Sequence, residues 1–288
     1  MGASLRVAAA AAGHGGLTAV SEVLATAEPH VVSPEPLLAV EDICVRFAGI
    51  VALDGVSFAL PERTMLGLIG PNGAGKTTLF NCLSRLYTPS SGDIRFAGRS
   101  ILGIPPHRIA SAGISRTFQN LALFTSMSVR DNIRVGGHRL GRSDFLSDAL
   151  HLPAAMRAEG ALDAKVAELI DELELGPVAD RRVADLPFGL QKRVEIARAL
   201  AAEPRLLLLD EPAGGLNHAE VEELGALIRR IRDERGLTVL LVEHHMSLVM
   251  SICDRVVALD FGRKIADGTP AEVQINPEVI LAYLGTTS

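Results

Sequence analysis

No stretch of this 288-residue sequence is apolar for long enough to cross a bilayer, which takes about 20 residues. The longest candidates, residues 206–209 and Thr238–Val242, stop at Asp210 and Glu243 and read as buried strands. The chain therefore does not span a membrane itself, although it can dock on a protein that does. Cysteine is scarce: Cys44, Cys82 and Cys253 lie far apart and show no C-x-x-C spacing, which points to buried or free thiols in a reducing cytoplasm. There is no excess of positive charge. With 28 Lys+Arg against 34 Asp+Glu the formal net charge is -6, so a generally basic face for nucleic acid is not expected. Internal repeats are absent, and a proper secretory leader is missing too. Residues 1–36 offer Arg6 and an alanine run, followed by Pro29, Pro34 and Pro36, and read as a disordered Ala/Gly/Pro-rich extension or a start-codon artefact.

What remains is ordinary globular material. Hydrophobic residues make up 48% and charged residues 22%, enough for one large domain or a domain with a subdomain. Patterning predicts strands over Leu38–Phe47, 51–60, Met65–Ile69, 93–96 and 114–118, with a helix over 76–86. Residues 120–190 read as mostly helical, and 161–175 place Leu162, Val166, Leu169, Ile170 and Leu173 on one face. Further along, strands at 206–209, 237–243 and 254–259 alternate with helices at 219–235 and Met246–Ile252. Short strands separated by helices imply an α/β fold with a mainly parallel sheet covered on both faces, and the helical stretch is then an insertion.

One loop carries a phosphate-binding pattern. Gly70, Pro71, Asn72, Gly73, Ala74, Gly75, Lys76 and Thr77 satisfy G-x-x-x-x-G-K-[ST], followed by Thr78. It follows a predicted strand and opens a predicted helix, the context this chemistry requires. Glycines let backbone N–H groups turn inward around phosphates, and the helix adds its positive N-terminal end. Lys76 then reaches the β- and γ-phosphates of a nucleotide, and Thr77 offers a hydroxyl to Mg²⁺.

A second motif completes the first. Four leucines, 206–209, run into Asp210, Glu211 and Pro212, so a buried strand delivers two acids to the sheet edge. Alone this is as readily an ordinary acidic turn. Beside a phosphate loop, Asp210 is placed to hold Mg²⁺ through its water shell and Glu211 to polarise an attacking water.

With these two motifs in place, the sequence resembles the nucleotide-binding subunits of ATP-binding cassette (ABC) transporters from about residue 37 onward. Smaller elements occur in that family's order: Gln119 in the glutamine loop, residues 186–191 in the place of the signature, residues 214–217 in the D-loop, and His244 as the switch histidine. The finer resemblance, carried by residues 116–120, 186–200, Glu243-His244 and the ending Ala282-Tyr283-Leu284-Gly285, is to the ATPase subunits of branched-chain amino acid uptake systems. The resemblance implies a P-loop NTPase with a RecA-like parallel sheet core, an antiparallel β subdomain and a helical subdomain inserted at about 120–190. It implies that Phe47 stacks on adenine, that Gln119 touches Mg²⁺, and that Gly189 cradles the γ-phosphate held by a second, head-to-tail cassette. Partners would be that second cassette, transmembrane permease subunits and, indirectly, an external substrate-binding protein. No nucleic acid is expected, and the place of work would be the cytoplasmic face of the plasma membrane.

Some residues depart from the family pattern. Pro187 stands in place of the signature serine, Leu190 in place of a glutamine, Asn217 where aspartate is frequent, and His245 follows the switch histidine. Gly189 keeps its place, so backbone N–H groups there can still meet a phosphate. The His244-His245 pair does not read as a zinc site, because neighbours on a strand face opposite ways and no further ligand is close in sequence. The competing readings are a soluble cassette ATPase acting on nucleic acid or ribosomes, a regulatory nucleotide-binding module, and the ATPase of an exporter.

Overall fold

The computed structural model describes residues 35–117, 122–138 and 153–285. The Ala/Gly/Pro-rich stretch lies almost wholly outside them, as does Gln119. Residues from Pro36 onward form one compact unit.

Two sheets build this unit. Strands β1 (Leu38–Phe47), β2 (Ile50–Leu60), β4 (Ser91–Phe96) and the two-residue β5 (Arg99–Ser100) form an antiparallel sheet in the order β2-β1-β4-β5. The other sheet has the order β10-β9-β3-β8-β7-β6, from β3 (Met65–Ile69), β6 (Ile114–Arg116), β7 (Leu206–Asp210), β8 (Thr238–Val242), β9 (Arg255–Asp260) and β10 (Arg263–Gly268). Its pairs are parallel except β9 with β10. Strands β3, β7 and β8 are buried at every position, which explains their uninterrupted apolar runs: both faces of a parallel sheet are covered.

Alternation along those runs divides the interior in two. Leu66, Leu68, Leu206, Leu208, Leu240 and Val242 face the antiparallel sheet and α1 (Lys76–Leu83). Met65, Ile69, Leu207, Leu209, Val239 and Leu241 face a second core. That core is built by α2 (Val129–Gly136), α3 (Pro153–Glu172), α4 (Phe188–Leu200), α5 (His218–Arg235), α6 (Met246–Ile252), α7 (Pro270–Gln274) and α8 (Pro277–Leu284). Each leucine buried in this way contributes about 1.5–3 kcal/mol. Truncating one, such as the fully buried Leu208, costs about 2–5 kcal/mol.

Most expected elements appear within a residue or two of their predicted ends. The helix predicted over 76–86 stops at Leu83 because Arg85 turns left-handed (φ 60°) and the N–H groups of Leu86 and Tyr87 both return to the Asn81 carbonyl. The helix predicted from 161 begins at Pro153; its buried face is as expected, and it ends ahead of the left-handed Glu174 (φ 57°). The sequence reading placed no strand or helix beyond 259. There, β10 returns along β9 and two short helices follow, α7 opened by a Thr269/Glu272 capping box and α8 by Asn276.

Candidate functional site

Three neighbouring strands set up the site. β8 lies between β3 and β7 in parallel register, Leu68 opposite Val242 and Val242 opposite Asp210. The carboxyl ends of all three reach one edge, which is where open α/β sheets bind ligands. The phosphate loop leaves β3 there, Glu211 follows β7, and His244 follows β8 by one intervening residue.

Conformation explains the loop's composition. Gly75 precedes α1 in the left-handed region (φ 101°), and a Cβ there would sit 2.7 Å from the Ala52 carbonyl oxygen. The Lys76 ammonium is buried and donates to the carbonyls of Gly70 (2.6 Å) and Pro71 (2.9 Å). Desolvation lowers its pKa, while the charge of Glu211 works in the opposite direction. Glu211 itself is left-handed (φ 48°), rare for a residue of its kind, and its N–H donates to the Val242 carbonyl at 2.9 Å. Glu211 Oε1 lies 2.6 Å from Nε2 of His244.

These groups enclose a cleft of about 280 Å³ lined by residues 72–78, Ala52, Glu211 and His244. The donor set suits a nucleotide triphosphate. Gly73 (φ 82°) has open space where a Cβ would be, so its backbone can be approached closely. Helix α1 begins without a side-chain cap, and a lysine and a histidine face the same space. Asp210 sits at the end of β7, 2% exposed, and takes a 2.6 Å bond from Arg116. Arg116 is fixed in turn by Asn81 Oδ1 (2.8 Å) and Ser84 Oγ (3.1 Å). Among the described residues no group of three or more His, Cys, Asp or Glu could hold a metal.

Comparison with known proteins agrees with this geometry. The family model described as ABC transporter matches residues 53–214. A protein of Pseudomonas aeruginosa, the high-affinity branched-chain amino acid transport ATP-binding protein BraF, is 46% identical over 250 residues, covering 87% of this chain and 98% of the relative. The chain belongs to the ABC transporter family. It is an ATP-binding cassette, an ATPase. The Escherichia coli protein LivG, with the same descriptive name, is 41% identical over 251 residues, covering 87% of this chain and 98% of its own. The ADP conformation of another transporter's cassette superposes with a TM-score of 0.76 at 29% identity, over 86% of this chain and 98% of that one. A second model, described as branched-chain amino acid ATP-binding cassette transporter, matches residues 263–287.

Phe47 and Gly189 do not line the cleft of this cassette. Phe47 is 43% exposed at the end of β1, with its ring edge-on to Tyr87 at 5.2 Å. Gly189 lies in the first turn of α4, whose N-cap is Pro187 with no side-chain cap. A Cβ on Gly189 would stand 3.3 Å from a Glu220 carboxylate oxygen on α5. Gln119 is outside the described residues.

Sequence reasoning missed the part played by Glu243, which it used only as a strand stop and one member of a dipeptide. Its carboxylate is buried, 1% exposed, and accepts the N–H groups of Ala213 (2.7 Å), His244 (2.9 Å) and His245 (3.2 Å). It therefore ties the turn after Glu211 to the histidine segment. An acid directly after a wholly apolar strand and directly before a histidine was the available signal, the same one that marked Asp210.

Proposed function

We propose that this cassette is the ATP-hydrolysing, energy-coupling subunit of an importer for branched-chain or related amino acids. The observation that carries the catalytic part is the 2.6 Å contact between Glu211 and His244 across from the phosphate loop, within one cleft. The cargo is supported by the printed names of BraF and LivG, whose length the chain covers almost completely, and by the match at residues 263–287.

ATP is the substrate. Residues 70–78 hold its phosphates, with Lys76 leaving the Gly70 and Pro71 carbonyls to meet the β- and γ-oxygens. Phe47 stacks on the adenine from the end of β1. Glu211 orients the attacking water and takes up its proton, and His244 holds the γ-phosphate while keeping Glu211 in place. Thr77, Gln119 and, through water, Asp210 would hold Mg²⁺, whose charge offsets that developing on the phosphates. Positioning and charge neutralisation supply most of the acceleration, as in phosphoryl transfer generally.

Gly189 sits outside the cleft of one chain, which supports a site completed by the Gly189 segment of a second cassette, identical or related, arranged head to tail. Among the described residues no helix is long and apolar enough to cross a membrane, so coupling requires permease subunits. A groove of about 340 Å³ between the 106–116 segment, α2 and α4, lined partly by Leu86, Ile109, Val135 and Ala199, suits a short apolar helix of such a permease. The cassette then works at the cytoplasmic face of the plasma membrane, and an external binding protein supplies the amino acid. Helices α2 and α3 belong to the inserted helical subdomain.

Phosphate release and size-exclusion chromatography test the reading. Glu211→Gln lowers turnover by more than about 100-fold while ATP binding persists and an ATP-trapped dimer accumulates. Full turnover in that variant removes Glu211 from its role. Stimulation of the wild type by a permease reconstituted with a branched-chain amino acid and its binding protein, but not by other cargo, tests the substrate.

A further inference from the structure

Tyr283, near the end of α8, reaches back across 213 residues to the phosphate loop, where its hydroxyl accepts the N–H of Gly70 at 2.8 Å. Gly70 is held on every side. Its backbone is left-handed (φ 147°), and a Cβ there would overlap the Leu259 carbonyl oxygen at the end of β9. Its own carbonyl is one of the two on which Lys76 Nζ rests, at 2.6 Å. One residue thus connects Tyr283 on its N–H side to Lys76 on its C=O side.

Val279 is buried and the Tyr283 ring packs on the helical core, whereas Ile280, Leu281 and Leu284 are exposed. The general family model ends at residue 214, and the branched-chain model covers 263–287. The link therefore joins a segment particular to this group to the most general element of the fold.

We propose that Tyr283 is a positioning residue of the nucleotide site: its hydroxyl holds the Gly70 N–H and so fixes the backbone of the phosphate loop where it leaves β3, which lets helix α8 tune the affinity of the cassette for ATP. The inference rests on the reading of the loop as an ATP site and not on the identity of the cargo. Tyr283 does not reach the reacting atoms; it acts through Gly70. By linkage the effect runs both ways, and ATP in the loop steadies α8 by the same factor that α8 contributes to ATP binding.

The experiment uses the full-length chain in three forms: wild type, Tyr283→Phe and Val279→Ala. The phenylalanine keeps the ring and removes the hydroxyl, while Val279→Ala loosens α8 and leaves the hydroxyl in place. Equilibrium titration with a fluorescent ATP analogue and with ATP as competitor is set beside melting without nucleotide and amide hydrogen exchange over 277–284. Loss of one hydrogen bond in this chain of contacts weakens ATP binding by about three- to tenfold in Tyr283→Phe. kcat at saturating ATP moves by less than about twofold, because the contact is made alike in ground and transition states. ATP slows exchange in α8 of the wild type and fails to do so in Tyr283→Phe. Unchanged ATP affinity in Tyr283→Phe overturns the proposal. So does a loss of affinity that merely follows melting temperature, with Val279→Ala and Tyr283→Phe on one line, since that describes a structural anchor only. If the wild type binds no ATP, the nucleotide reading itself fails and this inference with it.

Discussion

Helices α1 and α4 begin differently from α2, α5, α7 and α8. The latter four are closed by side chains: Ser128, Asn217, Thr269 and Asn276 each accept backbone N–H groups of the first turn, and Asn217 and Thr269 form complete capping boxes. By contrast Gly75 and Pro187, at the starts of α1 and α4, offer no side-chain cap. Both uncapped starts lie in segments assigned to ATP, the phosphate loop and the signature position. A cap satisfies orphan N–H groups permanently, whereas a helix that must receive a phosphate keeps them available. Under the proposed function, the chain spends side-chain caps on architecture and leaves uncapped the two starts where a phosphate would arrive. Helix α6 follows a middle course: it too lacks a side-chain cap of its own, but Glu243 takes the N–H groups of His244 and His245 just ahead of it.

Two changes probe this division and a third tests an ion pair away from it, in order of expected size. Asn217→Ala removes a cap from an architectural helix and lowers stability by about 1 kcal/mol. For a domain of this size that is a fall of about 2–4 °C in melting temperature, while the monomer's affinity for ATP changes by less than about twofold. A large drop in ATP affinity would break the comparison. Pro187→Ser places a hydroxyl at the start of α4. It is expected to raise the melting temperature by about 1–2 °C and to tighten ATP-driven dimerisation by about two- to threefold, read by sedimentation of the Glu211→Gln background. A higher melting temperature with weaker dimerisation would show cap and phosphate competing for the same N–H groups. The smallest effect concerns Glu174, just past α3, whose carboxyl is held below its ordinary value by hydrogen bonds from Arg193 and Arg230. A depressed folded-state value means the contribution is present above the ordinary carboxylate pKa and is lost as pH falls through the folded one. Glu174→Gln therefore flattens the acid limb of stability below about pH 4.5. Because the pair is exposed, the effect is only about 0.3 kcal/mol, measured by chemical denaturation at a series of pH values.

How much of this was legible in the sequence follows from what kind of interaction each part uses. The phosphate loop was legible because its requirements are backbone ones: Gly73 and Gly75 stand at positive φ, and no other residue type serves as well. Strands β3, β7 and β8 were legible because burial on both faces leaves an apolar run, and Asp210 and Glu243, at the ends of the last two, mark the sheet edge. Arg85 was not legible as the stop of α1, since a left-handed non-glycine residue carries no compositional mark. Helices α7 and α8, of 5 and 8 residues, were not assigned from the sequence, although Thr269-Pro270 and Glu272 spelled a capping box. The Tyr283–Gly70 bond and the three N–H groups on Glu243 depend on contacts between distant segments, which no local pattern announces.

The buried pair of Arg116 and Asp210 has a consequence for a cation at this strand end. A carboxylate 2% exposed at the end of β7 is neutralised by a guanidinium that is itself fixed by Asn81 and Ser84. The charge that a divalent cation would otherwise have to balance is already balanced by the chain, so the folded state does not depend on that cation for its assembly. A cation bound beside this carboxylate would meet a strand end that Arg116 already holds in place.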